Sequence, residues 1–210
     1  TFYIDGVQEG LWTEWFEDGQ KRRERNFKYG ERDSTWNTWY ENGNKRFLAT
    51  YSDGKLNGKY TRWYQGGIIK EQDGDYTNNK KHNRWVFWAK NGQKSEEINY
   101  NTGIQNGPHI KWFGDSSDQH KEFHKNFKNG EKDGAWHYWY TTGVDSLKSS
   151  YLEGKKDGHW VWWRSNGLKD KEGFYKKEKK HGVWTVWNDS SGNAHHKLHE
   201  ETFVNDIIDG

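Results

Sequence analysis

Residues 51–67 read YSDGKLNGKYTRWYQGG, and residues 127–143 read FKNGEKDGAWHYWYTTG. Both open on an aromatic residue, place glycine three and seven residues later, then set two aromatics three apart with a tyrosine directly after them. Outward from these stretches the same frame recurs along the chain. The marker pair W-x-x-W appears as Trp12/Trp15, Trp36/Trp39, Trp85/Trp88, Trp136/Trp139, Trp160/Trp163 and Trp184/Trp187, with Tyr60/Trp63 and His109/Trp112 as degenerate copies. Nine residues before each pair stands a leading aromatic: Tyr3, Phe27, Tyr51, Tyr76, Tyr100, Phe127, Tyr151 and Tyr175. Fourteen of fifteen tryptophans obey this frame and Trp162 alone is out of phase, so function belongs to an array rather than to a single pocket.

From leading aromatic to second Trp the distance is 12 residues in all eight copies, while the connecting segment varies from 12 to 16. A block of constant length joined by a tolerant segment is one supersecondary unit. Its glycines keep company with Asp and Asn (Asp18-Gly19, Asn42-Gly43, Asp53-Gly54, Asn129-Gly130), which is hairpin-turn chemistry. Two turns per copy predict two short strands per copy. No stretch between the glycines is long or apolar enough for an amphipathic helix. The expected fold is all-β, an elongated single-sheet antiparallel meander or solenoid of about eight stacked β-hairpins, as one array over residues 1–210 with copies beginning near 3, 27, 51, 76, 100, 127, 151 and 175. A partial copy opens at Phe203. The array thus begins and ends inside a copy, as expected of a segment of a longer protein.

Residues three apart on a strand face opposite sides unless a bulge intervenes, so the two Trp of each pair are expected on opposite faces, as ladders along the array. With 37 aromatic residues against 26 Ala, Val, Ile and Leu, cross-strand aromatic stacking is the only core this composition predicts. The ladder is therefore read as mainly structural, with recognition left to its exposed members. Net charge is +2, too small a field to point to nucleic acid or anionic lipid. The basic runs Lys21-Arg22-Arg23 and Lys176-Lys177 are read as solvated strand edges. The absence of cysteine excludes disulfides and thiolate sites, and no apolar run approaches the roughly 20 residues of a membrane span. It also fits an exported, periplasmic or cell-surface setting, with the cytoplasm as the alternative.

Written as [FY]-x-x-G-x-x-x-G-x-W-x-x-W-[FY]-x-x-G, the unit resembles the MORN repeat, and more closely its bacterial variant in proteins labelled toxin-antitoxin system antitoxins. The resemblance covers essentially the whole chain. It implies a hairpin per repeat and a role as protein scaffold or dimerisation platform, and it carries no catalytic motif. Choline- and glucan-binding surface repeats also combine Trp, Tyr and Gly in hairpins, but with a shorter period and a different Trp-Tyr spacing.

No catalytic constellation emerges. His195, His196 and His199 form H-H-x-x-H in the longest inter-copy segment, without a helix to align them and without the glutamate of a zincin. His109, His120 and His124 gather around the copy that also holds Pro108, the only proline. Neither group is read as a metal site, and no cofactor is expected. The copy from Tyr100 to Phe127 is expected to be where the array bends or makes contact, because Pro108 removes a ladder donor and His109 replaces the first Trp. The expected function is a non-catalytic scaffold for protein–protein interaction, as a subunit of a bacterial envelope or surface assembly. Carbohydrate or choline binding through exposed Trp, and neutralisation of a partner toxin, are the alternatives. The expected contact set is the second Trp and its following aromatic, Trp39, Tyr40, Trp63, Tyr64, Trp112, Phe113, Trp139 and Tyr140, because rigid aromatics dominate interface energetics.

Overall fold

The computed structural model describes residues 2–114, 119–188 and 196–209, and every regular element among them is a β-strand. The chain forms two compact units, Thr1–Ile104 and Gln105–Gly210, divided inside the irregular fifth copy. In the first unit, strands Phe2–Ile4, Val7–Trp15, Lys21–Lys28, Glu31–Trp39, Lys45–Ser52, Lys55–Trp63, Lys70–Thr77, Lys80–Trp88 and Lys94–Asn101 each pair antiparallel with the next. The second unit repeats this meander through Ile104–Trp112, Lys121–Lys128, Gly134–Trp139, Asp145–Leu152, Gly158–Trp163, Lys169–Lys176, Lys179–Trp187 and Lys197–Val204. Within each unit the sheet is open, with no barrel closure among the described strands.

The turn after each leading aromatic is a two-residue connection with both residues at positive φ, as at Asp53 (49°) and Gly54 (75°). Asn79 and Glu178 replace this glycine in two copies and still adopt φ of 64° and 73°. Their side chains do what glycine cannot: Asn79 Oδ1 accepts the Leu56 N–H at 2.7 Å, and Glu178 Oε1 accepts the Lys156 N–H at 2.5 Å. The exceptions thus tie their turn to the preceding hairpin. The second glycine of the frame marks a bulge, where the register skips between Ala49 and Tyr51 opposite Gly58 or between Glu172 and Phe174 opposite Gly182.

The core follows from this register. In the second unit one continuous ladder runs His109, Phe127, Trp136, Tyr151, Trp160, Tyr175, Trp184 and Phe203, with successive ring centroids 4.8–6.4 Å apart. In the first unit Trp12, Phe27, Trp36 and Tyr51 stack the same way, as do Tyr60, Tyr76 and Trp85. First-position indoles are also tethered: the Nε1–H groups of Trp36, Trp85, Trp136, Trp160 and Trp184 donate to the carbonyls of Asn26, Asp75, Asn126, Ser150 and Phe174, each ten residues upstream, at 2.9–3.1 Å. Each such carbonyl precedes a leading aromatic, so one geometry serves all five. Cations cap the rings, with Lys132 lying 4.9 and 4.7 Å from the Trp136 and Tyr151 centroids and Lys180 lying 4.6 Å from those of Trp184 and Phe203.

The two tryptophans of a pair do face opposite sides. Trp136 meets Tyr138 across one face, while His137 stacks on Trp139, centroids 3.7 Å apart, across the other. Trp162, out of phase in sequence, belongs to the ladder face, 5.5 Å from Trp160 and 5.9 Å from Trp184. The expectation of a purely aromatic core needs one correction. Opposite the ladder, Thr61 and Val86 in the first unit and Val161 and Thr185 in the second are buried as well. Each follows the first aromatic of its copy, so strand alternation places it there.

Candidate functional site

The expected contact residues fall into two classes. Trp39, Trp63, Trp112 and Trp139 each end a strand and are half-buried, as is Phe113. They are therefore neither sealed in the core nor freely displayed. Tyr40, Tyr64 and Tyr140 are half-buried as well, and their hydroxyls are committed to the neighbouring copy. Tyr40 donates to the Trp63 carbonyl at 2.8 Å, Tyr64 to the Trp88 carbonyl at 2.7 Å and Tyr140 to the Trp163 carbonyl at 2.8 Å. Arg164 takes the tyrosine's place in its copy and donates to the Trp187 carbonyl at 3.0 Å. Tyr40, Tyr64, Tyr140 and Arg164 are thus rivets between copies, each holding the next second Trp in position, whereas Phe16, Ala89 and Phe113 at the same place carry no side-chain donor. The set is divided between the units, with Trp39 to Tyr64 in the first and Trp112 to Tyr140 in the second.

A feature absent from that set occupies the first unit. Two residues after the first aromatic, the chain carries Phe87, Tyr138 and Trp162, whose rings join the ladder face. In the first three copies that position holds Glu14, Thr38 and Arg62, which supply no ring. The space left open is a cavity of ≈ 1060 Å³. Its walls carry five arginines, Arg22, Arg23, Arg25, Arg46 and Arg62, beside the aromatic surfaces of Trp39, Tyr40, Phe47 and Tyr60. The run Lys21-Arg22-Arg23, read from sequence as a solvated strand edge, therefore contributes two of its residues to a concave basic wall. The missed signal was arginine position: seven of the eight arginines fall between residues 22 and 84, whereas later copies use lysine.

The guanidinium groups differ in their pairing. Glu14 bridges Arg23 and Arg25 at 3.3 and 3.4 Å, and Glu71 holds Arg62 at 2.9 Å. Arg22 and Arg46 occupy the same position in consecutive copies and have no carboxylate partner among the described residues. Each lies over an aromatic ring instead, Arg22 at 5.8 Å from the Phe16 centroid and Arg46 at 5.7 Å from that of Tyr40.

Of the H-H-x-x-H residues, His195 lies outside the described residues. His196 donates its backbone N–H to Asn188 Oδ1 at 3.2 Å, and His199 Nε2 approaches Glu201 Oε1 at 2.9 Å. His109 rests against Phe123 with Gln105 Nε2 2.8 Å from its Nδ1, and His120 Nδ1 lies 3.0 Å from the Thr141 carbonyl. His124 and His137 are register partners, and burial pushes both imidazoles down, with Lys121 adding to the effect at His124 and Asp145 opposing it at His137. Among the described residues no group of three or more His, Cys, Asp or Glu is arranged to hold a metal ion. Nor is any helix there long and apolar enough to cross a membrane. In comparison with known proteins, no family model matches this sequence, and no curated protein matches it either.

Proposed function

We propose that this chain is a non-catalytic scaffold that binds a protein partner along its repeated hairpins, in the manner of MORN-type arrays. The supporting observation is the row of second-position tryptophans. They recur at repeat spacing, Trp15 exposed and the others half-open, and four of them, Trp63, Trp88, Trp163 and Trp187, are held by a hydroxyl or guanidinium rivet from the copy before. Large rigid aromatics fixed before binding supply contact area at low entropic cost. The absence of cysteine supports an exported setting for the assembly.

Photo-crosslinking in the producing cells tests this role, with a benzophenone side chain placed at Trp39 or Trp139. Recovery of one protein adduct at both positions is the expected result, and a Trp→Ala change at either should weaken that complex by about 2 kcal/mol or more with the far-UV circular dichroism unchanged. Adducts confined to saccharide would replace the scaffold role with the carbohydrate one. No adduct at either position would remove the second-Trp row as the contact surface.

A further inference from the structure

The basic cavity of the first unit lies where three consecutive copies lack the ring that Phe87, Tyr138 and Trp162 supply elsewhere. We infer that it is a docking site for an acidic, aromatic-containing peptide segment of a partner protein. This rests on the scaffold role proposed above and names the chemistry of its partner.

The occupant's chemistry is read from the walls. Three of the wall's guanidiniums already hold carboxylates of this chain, Glu14 bridging Arg23 and Arg25 and Glu71 pairing with Arg62, and the lining itself includes the Glu41 carboxylate. Two further guanidiniums, Arg22 and Arg46, stand without a carboxylate partner among the described residues, over the rings of Phe16 and Tyr40. A guanidinium presents a planar fork of donors that matches a carboxylate, and stacking on a ring keeps that fork oriented while leaving its edge open. Arg22 and Arg46 lie one copy apart, two strands at roughly 4.8 Å each, a span of about 10 Å that two glutamates two residues apart on one face of an extended peptide, about 7 Å between their Cα atoms, reach by splaying their side chains. Phe47 and Tyr60 give the same cavity an apolar surface for the intervening side chains. Asn42 and Gln65 add amide groups for a peptide backbone. A nucleic acid is disfavoured because the chain's net charge is only +2, without the extended positive field that a phosphate polymer selects.

The site is tested by fluorescence anisotropy on the full chain, using a fluorescein-labelled octapeptide of alternating Glu and Phe and a matched Lys-Phe octapeptide. Inorganic pyrophosphate and phosphatidylserine vesicles serve as phosphate-bearing competitors. The Glu-Phe peptide should bind saturably, and the Lys-Phe peptide should not. The double variant Arg22→Ala/Arg46→Ala should lose tenfold or more in affinity, and Arg22→Lys/Arg46→Lys should fall between it and the parent, since charge survives but the fork does not. Both side chains are exposed and have no carboxylate partner among the described residues, so the variants should keep the parental urea midpoint, and Arg22→Glu/Arg46→Glu provides a second test of sign. Absence of peptide binding, equal affinity in the double variant, or arginine-dependent capture of pyrophosphate or vesicles but not peptide would each overturn the assignment. A crosslinked partner with no acidic-peptide binding would leave the scaffold role standing and remove this site. Arginine-dependent peptide binding with no crosslinked partner would do the reverse.

Discussion

Gly173 shows how far one residue sets the core. A Cβ built there would overlap the Trp184 ring, which is held by Tyr175, Trp162 and its bond to the Phe174 carbonyl. Ala49 and Ser149 occupy the same position in other copies, so the backbone accepts a side chain and the cost lies in displacing the indole. Gly173→Ala should destabilise the protein by about 1–2 kcal/mol in urea unfolding, since the steric cost exceeds the entropy gained in the unfolded chain. An unchanged or raised midpoint would show that the ring relaxes freely. His124 and His137 carry a second effect. Their folded pKa values lie below the ordinary 6.5, so the unfolded chain binds more protons; the stability they confer is present above pH 6.5 and is lost as pH falls below it. The groups facing them are Lys121, Asp145 and Lys148, and Asp145 is held low by hydrogen bonds from Lys148 and His137 despite its burial, so carboxylate losses begin only in more acidic solution. The melting temperature should therefore drop between pH 7.5 and 5.5, and less steeply in His124→Gln. Parallel slopes for variant and parent would rule out His124 as a source.

At the scale of the hairpin, the turns and rivets make separate, measurable contributions. Glu178 sits at φ 73° and accepts the Lys156 N–H, so truncation to alanine keeps the backbone strain and discards the bond. Glycine discards the bond but relieves the strain. The expected order of stability is Glu178→Gly above Glu178→Ala, with the alanine variant about 1 kcal/mol below the parent. The reverse order in denaturant titration would mean that strain at this turn is negligible. Tyr140→Phe removes only the hydroxyl that serves the Trp163 carbonyl and should cost about 1 kcal/mol. Any larger loss of partner binding by this variant would reflect misplacement of Trp163 in the neighbouring copy.

At the scale of a whole unit, an array in which each hairpin touches only its neighbours should respond locally to damage. Trp160 is buried at the middle of the second unit's ladder, between Tyr151 and Tyr175. In Trp160→Ala, hydrogen-exchange protection should fall most in Asp145–Leu152, Gly158–Trp163 and Lys169–Lys176, and least in Lys121–Lys128 and Lys197–Val204. A uniform loss across these strands would instead show that the unit unfolds as one cooperative body.

The sequence by itself determined the repeat, the two turns per copy, the strand class and the opposed faces of each Trp pair, because these follow from spacing, turn chemistry and the two-residue period of a strand. The tertiary structure decided what the spacing left open. Tyr40, Tyr64 and Tyr140 are rivets as well as candidate contacts, since a hydroxyl's partner lies in the next hairpin, 23 or 24 residues away. Trp162 joins the ladder because a strand's faces are set by parity, and it stands two residues after Trp160 whatever the repeat frame says. The basic cavity was equally invisible along the chain. It exists because Glu14, Thr38 and Arg62 leave unfilled what Phe87, Tyr138 and Trp162 fill elsewhere, and such a gap appears only when successive copies are laid side by side.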